Sequence, residues 1–383
     1  MELPRRFEAV VTWGVIPLAL FCLMSFAGAG AAETKALWQV EWEKTVAAAK
    51  KEGQVNVYIG GWGVVLDSGA FQKAYPEIKV VSVASRGGGE IAQRILAERR
   101  AGKFLADVSI EGFNSNYLNL HKKAKVFDPV KPLLLLPEVA DESKWWQGKH
   151  SYLDPEGQYV FRFTGIPQAG GTHYNTKLVN PKELKSFWDL LNPKWKGKIE
   201  SRDARVPGPG NGALRFFYHS SDLGPNFIRR LYGEMDVSLF RDRRQGTDWL
   251  ITGKYALCFF CSDIPRSKNQ GFPVDTFGTL SEGAGLVSQY GTLAFPNRAP
   301  HPNAAKVFIN WFLSREGQLA LQKAMAKSED SAPDSLRIDI SKEDIPPQDR
   351  RIDRVQYLDL DLGERLEMEP ILKVLNEVLA KKK

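Results

Sequence analysis

The chain has 383 residues, with 52 Lys and Arg against 45 Asp and Glu, a formal net charge of +7 and three cysteines. That length suggests two domains with a core that needs no cross-links, which excludes a small disulfide scaffold. The basic excess is slight and interleaved with acids, as in RRLYGEMD and RDRRQ. No RNA- or DNA-binding motif accompanies it, so no nucleic-acid partner is expected.

Arg5 and Arg6 precede an uncharged run over 9–32 that closes on AGAGAA, the layout of a secretion signal cut after Ala31 or Ala32. Phe21 is bulky where a lipobox carries a small residue, which argues against a lipid on Cys22. No later stretch offers eighteen uninterrupted apolar residues, so the expected mature chain is soluble and periplasmic.

Apolar positions Trp38, Trp42, Val46 and Ala49 recur at helical spacing and stop at Gly53. QVNVYI (54–59) reads as a strand, GGWG as a glycine loop, 68–75 as a short helix and IKVVSV (78–83) as a second strand. The stretch 85–110, SRGGGEIAQRILAERRAGKFLADVSI, then supplies a loop, an amphipathic helix and a third strand. Strand and helix alternating at this spacing predict a parallel sheet. Its ligand loops would be 60–63, 85–89 and 111–115, at the carboxyl ends of the strands.

A second α/β unit follows the Pro- and Trp-rich connection 129–157. It contains YVFRF, THYNTKLV, SFWDLLNPKWKGKIE, the loop VPGPGNG (206–212), helices in ALRFFYH, NFIRRLYGE and TDWLITG, the strand YALCFF and another near Val274. Cys258 and Cys261 stand three apart. Spacing leaves buried thiols, a local disulfide and half a metal site open; strand alternation, which sends the two side chains to opposite faces, favours thiols. GLVSQYGTLAFPN leads into one long helix from Pro302 through SREGQLALQKAMA, with Ala305, Phe308, Ile309, Phe312 and Leu313 on one face. The charged last fifty residues carry Pro346–Pro347 and end in a helix near 367–379.

Several of these segments, in this order, resemble the periplasmic solute-binding proteins of ABC importers, the type II group that includes ferric-iron and 2-aminoethylphosphonate binders. They are AAAKKEGQVNVY, AQRILAERRAGKFLADV, THYNTKLV, FWDLLNPKWKGKI and HPNAAKVFINWFLSREGQ. The resemblance implies an α/β fold of two lobes, 33–165 with 290–330 and 166–289, plus a C-terminal helical extension over 331–383. It also implies a cleft that closes on a small-molecule ligand, and an ABC permease as the partner of a monomer. One departure bears on the ligand. Ferric binders carry adjacent tyrosines just after the strand that here reads YALCFF, and this chain has CFFCSDIP there and no Tyr-Tyr pair anywhere. Phenylalanine offers a metal no donor, so an organic anion or zwitterion is expected, with ferric iron as the alternative.

The candidate ligand-binding residues follow from that frame. Arg86 with Gly87, Gly88 and Gly89 can grip a carboxylate or phosphonate through a guanidinium fork and loop amides, the alternative being a turn with a solvated arginine. Gly210 and Asn211 open the ALRFFYH helix as a second anion cradle. Arg205 lies just before them, with an ion pair to Asp203 or Glu200 as its structural alternative. Trp62 would wall the cleft or cap the core, and Asn114 lies in the loop 111–115. His173, placed where this family crosses between lobes, could donate to an anion or sense pH. Ser262 and Asp263 occupy the family's second-lobe ligand position by resemblance, with Asp263 suited to an ammonium group, and Tyr290 in the second crossing is a hydrogen-bond donor. No cofactor or metal site is expected. The sequence lacks G-x-S-x-G, H-E-x-x-H and a P-loop, which leaves a secreted hydrolase as a remote alternative and a ligand-presenting sensor as a nearer one.

Overall fold

The computed structural model describes residues 35–85, 89–168, 171–206, 210–328, 332–353 and 355–381. The expected secretion signal at 1–32 and the loop residues Arg86, Gly87 and Gly88 lie outside them.

Three strands rich in Val and Ile start the first sheet: β1 (Gln54–Gly60), β2 (Lys79–Ser85) and β3 (Val108–Glu111). They pair in parallel, β1 in the centre, in register Gln54↔Lys79 and Val57↔Val108. The βαβ spacing predicts this arrangement, because a crossover helix returns each strand in the same direction. The sheet grows by β4 (Phe127–Asp128), β5 (Ser151–Tyr152), β6 (Val160–Arg162) and, from far along the chain, β14 (Thr292–Pro296), which runs antiparallel between β3 and β6. On one face Phe71 packs against Phe308 and Trp311, with ring centroids 5.1 and 5.2 Å away.

The chain leaves this lobe through β7 (Ile166–Gln168) and builds a second, five-stranded sheet. Its members are β8 (Thr172–Asn175), β9 (Ile199–Arg202), β10 (Ser238–Phe240), β11 (Leu257–Phe259) and β12 (Val274–Thr276), in the order β10-β9-β11-β8-β12. It returns through β13 (Ala284–Val287), which pairs antiparallel with β7. A core of Phe187, Phe217 and Phe227, packed edge to face at 5.0 to 6.2 Å, fills the second lobe.

Four expectations are corrected here. The long helix after Pro302 is two helices, Pro302–Leu313 and Arg315–Ala326. Ser314 leaves helical geometry (ψ 168°) and its hydroxyl accepts the Gly317 amide, so it caps the second helix, and the absent Gly317 side chain leaves room for the Trp311 carbonyl. Cys258 and Cys261 are joined in a disulfide. The strand ends at Phe259, and Phe260, at φ 66°, turns the chain so that Cys261 swings back to the face of Cys258. The alternation argument fails because it assumes an unbroken strand. His173 lies on β8 inside the second sheet, while β7 makes the crossing. The C-terminal extension, finally, is not only helical: β15 (Tyr357–Asp359) adds in parallel to β13, making a three-stranded sheet with β7 at the crossing. Its helix Glu369–Ala380 packs on Gly224–Glu234 of the second lobe, while Asp359 pairs with the buried Arg162 of β6 at 2.5 Å.

No helix among the described residues is long and apolar enough to cross a membrane.

Candidate functional site

The ends of β3, the start of the Gly210–His219 helix and the β13–β14 connection enclose a cleft of about 990 Å³. The first lobe lines it with Gly89, Gln93, Glu111, Asn114 and Ser115, and the second with Asn211, Gly212 and Arg215. Gln168, Ser288, Gln289 and Tyr290 close it at the crossing strands, and Asp361, Leu366 and Met368 of the C-terminal extension form one rim.

Glu111 is the chemical centre of this cleft. It ends β3, so the parallel sheet aims it at the ligand side. It is 1 % exposed, its Oε2 accepts the Gly112 amide at 3.2 Å, and its Oε1 has no hydrogen-bond partner. Burial pushes its pKa up, partly offset by hydrogen bonds from Gly112 and Ser115, and the Glu90 charge adds to the rise. The glycine loop after β1 exists for these neighbours. A methyl group on Gly60 would collide with the Glu111 carboxylate, and one on Gly61, which sits at φ 69°, with the Tyr290 ring. Gly212 likewise lets the Gln168 amide approach, since a Cβ there would meet its Oε1 at 2.5 Å.

Two helix starts, one from each lobe, open on the same cleft. Gly89, at φ 92°, precedes the helix Glu90–Arg100, and Asn211 lies in the first turn of Gly210–His219, its Oδ1 buried without a partner. Unpaired amides and the helix dipole make such positions favourable for negative charge. The C-terminal extension ties down the crossing strand and the helix at the cleft. Asp361 Oδ2 accepts the Ser288 amide at 2.6 Å, and Arg215 Nη1 donates to the Leu360 carbonyl at 2.7 Å.

Of the residues singled out in the sequence, Gly89, Asn114, Asn211 and Tyr290 line the cleft, and Gly210 starts the helix beside it. Arg86, Gly87 and Gly88 lie outside the described residues. Trp62 is 4 % exposed and backs the site, edge-on to Tyr290 at 5.9 Å and to Phe163 at 6.0 Å. Arg205 forks onto Asp203 through Nε and Nη2 at 2.7 and 2.8 Å, the structural alternative raised for it. His173 Nδ1 meets Thr276 Oγ1 at 2.9 Å, and desolvation pushes its pKa down to about 4. The Ser262 carbonyl accepts the Thr247 hydroxyl, and Asp263, exposed at φ 57°, precedes the helix Ile264–Asn269. None of Trp62, Arg205, His173, Ser262 and Asp263 is among the cleft-lining residues. Glu111 opens the loop 111–115 that the sequence places at the cleft, although it was not singled out as a site residue; Gln168, Arg215, Ser288 and Asp361 also line the cleft and carried no local signal.

The family model described as bacterial extracellular solute-binding protein matches residues 43–319. An uncharacterized protein of Haemophilus influenzae is 26 % identical over 175 residues, 43 % of this chain; the match spans about half of that relative's length, 47 %. Among solved structures, a Trichodesmium protein (IdiA, FutA) in complex with iron and citrate superposes with a TM-score of 0.61 at 16 % identity, over 86 % of this chain and 99 % of that one. The spermidine/putrescine ABC transporter substrate-binding protein PotD of Streptococcus pneumoniae gives 0.60 at 13 %, over 86 % and 99 %. AfuA of Actinobacillus pleuropneumoniae, with fructose-6-phosphate bound, gives 0.51 at 19 %, over 86 % and 98 %. The shared fold is the two-lobed type II periplasmic binding architecture. These neighbours hold a metal with citrate, a sugar phosphate and, by name, polyamines, so the fold leaves the ligand open.

Proposed function

Because the chain belongs to the bacterial extracellular solute-binding proteins, the substrate-capturing components of ABC importers, we propose that it captures a zwitterionic organic solute. The solute would carry a carboxylate or phosphonate and an ammonium group. The observation behind this reading is the buried Glu111 carboxyl, which lines the cleft and whose Oε1 has no hydrogen-bond partner. A buried acceptor left unpaired costs about 1 to 3 kcal/mol, and a ligand ammonium would recover it as a charge-assisted hydrogen bond. The anionic end would lie between the two helix starts at Gly89 and Asn211, which belong to different lobes. Only the closed form lets both donate, so the ligand favours closure through its greater affinity for that form. The closed, loaded protein then delivers the solute to the permease.

Calorimetry in buffers of different ionisation enthalpy tests this reading. Burial raises the Glu111 pKa and an ammonium placed against it lowers it again, so binding of amine-bearing probes is coupled to the Glu111 proton. The probes are 2-aminoethylphosphonate, short amino acids, the same acids without the amine, diamines and ferric citrate. Equal binding of the amine-free acids, or a coloured ferric complex of higher affinity, would overturn the proposal.

A further inference from the structure

Away from the cleft, one row of side chains runs across the second sheet on a single face. Residues paired across neighbouring strands share a face, and the pairs Ser238↔Glu200, Glu200↔Cys258, Cys258↔His173 and His173↔Thr276 are continuous. Cys261 joins this face through the Phe260 turn. Phe240, Leu250, Ile264 and Val274 pack around the two sulfurs.

The disulfide here closes a loop of only three residues' separation, so it constrains the unfolded chain less than a long-range bridge would. Phe260, inside that loop, is held in the left-handed region at φ 66°, a conformation a non-glycine residue keeps only under constraint. Against the bridge lies Glu200, which is 0 % exposed. Its Oε1 is 3.8 Å from Cys261 Sγ, its Oε2 has no hydrogen-bond partner, and a Glu200 oxygen and both sulfurs lie within 4.8 Å of one another. A carboxyl group in that position is a costly structural filler, but it is well placed to exchange a proton with a sulfur.

We propose that Cys258–Cys261 is a thiol–disulfide exchange site for a dithiol reductant, with Glu200 as the group that protonates the departing sulfur. Cys261 is 7 % exposed and Cys258 fully buried, which fixes the direction of attack. One thiolate of the dithiol attacks Cys261 Sγ. A new S–S bond forms between them, the Cys258–Cys261 bond breaks, and Cys258 leaves as a thiolate that takes the Glu200 proton. The second sulfur of the dithiol then attacks its own bridged sulfur and expels Cys261. The two protons of the dithiol end on Cys261 and back on Glu200. The protein disulfide is reduced by two electrons and the dithiol is oxidised to a cyclic or intramolecular disulfide. Burial keeps Glu200 protonated up to about pH 8, in keeping with this role.

The test is reduction of the folded protein by dithiothreitol at pH 7, with free thiols alkylated and counted by mass and the near-ultraviolet circular dichroism followed in parallel. The expected result is two additional thiols per chain at an unchanged tertiary signal, and a rate at least tenfold lower in Glu200→Gln, with the carboxyl-bearing Glu200→Asp recovering part of it. Thiols that appear only at denaturant concentrations that unfold the protein would show a purely structural bridge. A Glu200→Gln protein reduced at the wild-type rate would remove Glu200 from the step. The wild-type measurement stands alone if the variants fail to fold.

Discussion

Glu200 should make this protein lose stability as the pH rises through neutrality, a dependence opposite to that of an ion-paired carboxylate. Burial raises its pKa from 4.5 to about 8, opposed by the Lys254 charge. Below pH 4.5 both folded and unfolded chains hold the proton. Between the two values the unfolded chain releases it and the folded chain does not, so the unfolded state gains. Each pH unit in that window costs about 1.4 kcal/mol, and the loss levels off above about pH 8. Between pH 5 and pH 8.5 the change comes to about 4 kcal/mol, a large part of the ~5 to 15 kcal/mol a domain has in total. Urea denaturation of wild type and Glu200→Gln at both pH values isolates this one group, since every other titration cancels in the difference. Gln cannot ionise, so the variant's stability relative to wild type should rise by about 4 kcal/mol from the lower pH to the higher. A difference independent of pH would mean that Glu200 ionises at its ordinary value, and that water or a cation reaches it.

His173 acts in the other direction: its pKa is depressed from 6.5 to about 4, so the stability it supports is full above 6.5 and falls away with falling pH, by up to about 3 kcal/mol. In His173→Gln the difference from wild type should shrink by that amount between pH 7 and pH 4 in the same denaturation assay. Gly61→Ala forces a side chain into φ 69° and against the Tyr290 ring, and is expected to cost about 1 to 3 kcal/mol, read as a lowered melting temperature, with ligand affinity reduced through the displaced Tyr290. Asp361→Ala leaves the buried Ser288 amide unpaired. A loss of about 2 kcal/mol by thermal unfolding is expected, although Asp361 lies 73 residues away in sequence. Ser314→Ala removes the cap between the two late helices and should cost about 1 kcal/mol in the same assay.

Much of the fold is written locally and could be read before any coordinates. The alternation of β1, β2 and β3 with helical segments carries its own parallel pairing, because a crossover helix returns the chain to the end of the sheet where the previous strand began. The glycine loop after β1 and the helix starts at Gly89 and Gly210 are visible for the same reason: a single residue type records a backbone need. The cleft itself was partly legible: Asn114 lies in a loop at the carboxyl end of a parallel strand, Asn211 opens a helix whose start the glycines mark, and Tyr290 was placed by the family resemblance.

Other features depend on what the chain meets after long excursions, and these only the tertiary structure decided. Glu111 looks like an ordinary strand-end carboxylate until Gly60, on the neighbouring strand, packs against it and its burial takes water away. Asp361 reaches the crossing strands only because β15 pairs with β13. The disulfide forms because Phe260 turns at positive φ, which reverses the face that strand alternation assigns to Cys261. Glu200 reads as a surface residue in IESR, but it is sealed between strands whose partners lie 38 and 58 positions further on. Propensity and periodicity report the backbone's local preference. Burial, and with it the charge state and reactivity of these groups, is a property of neighbours that sequence distance hides.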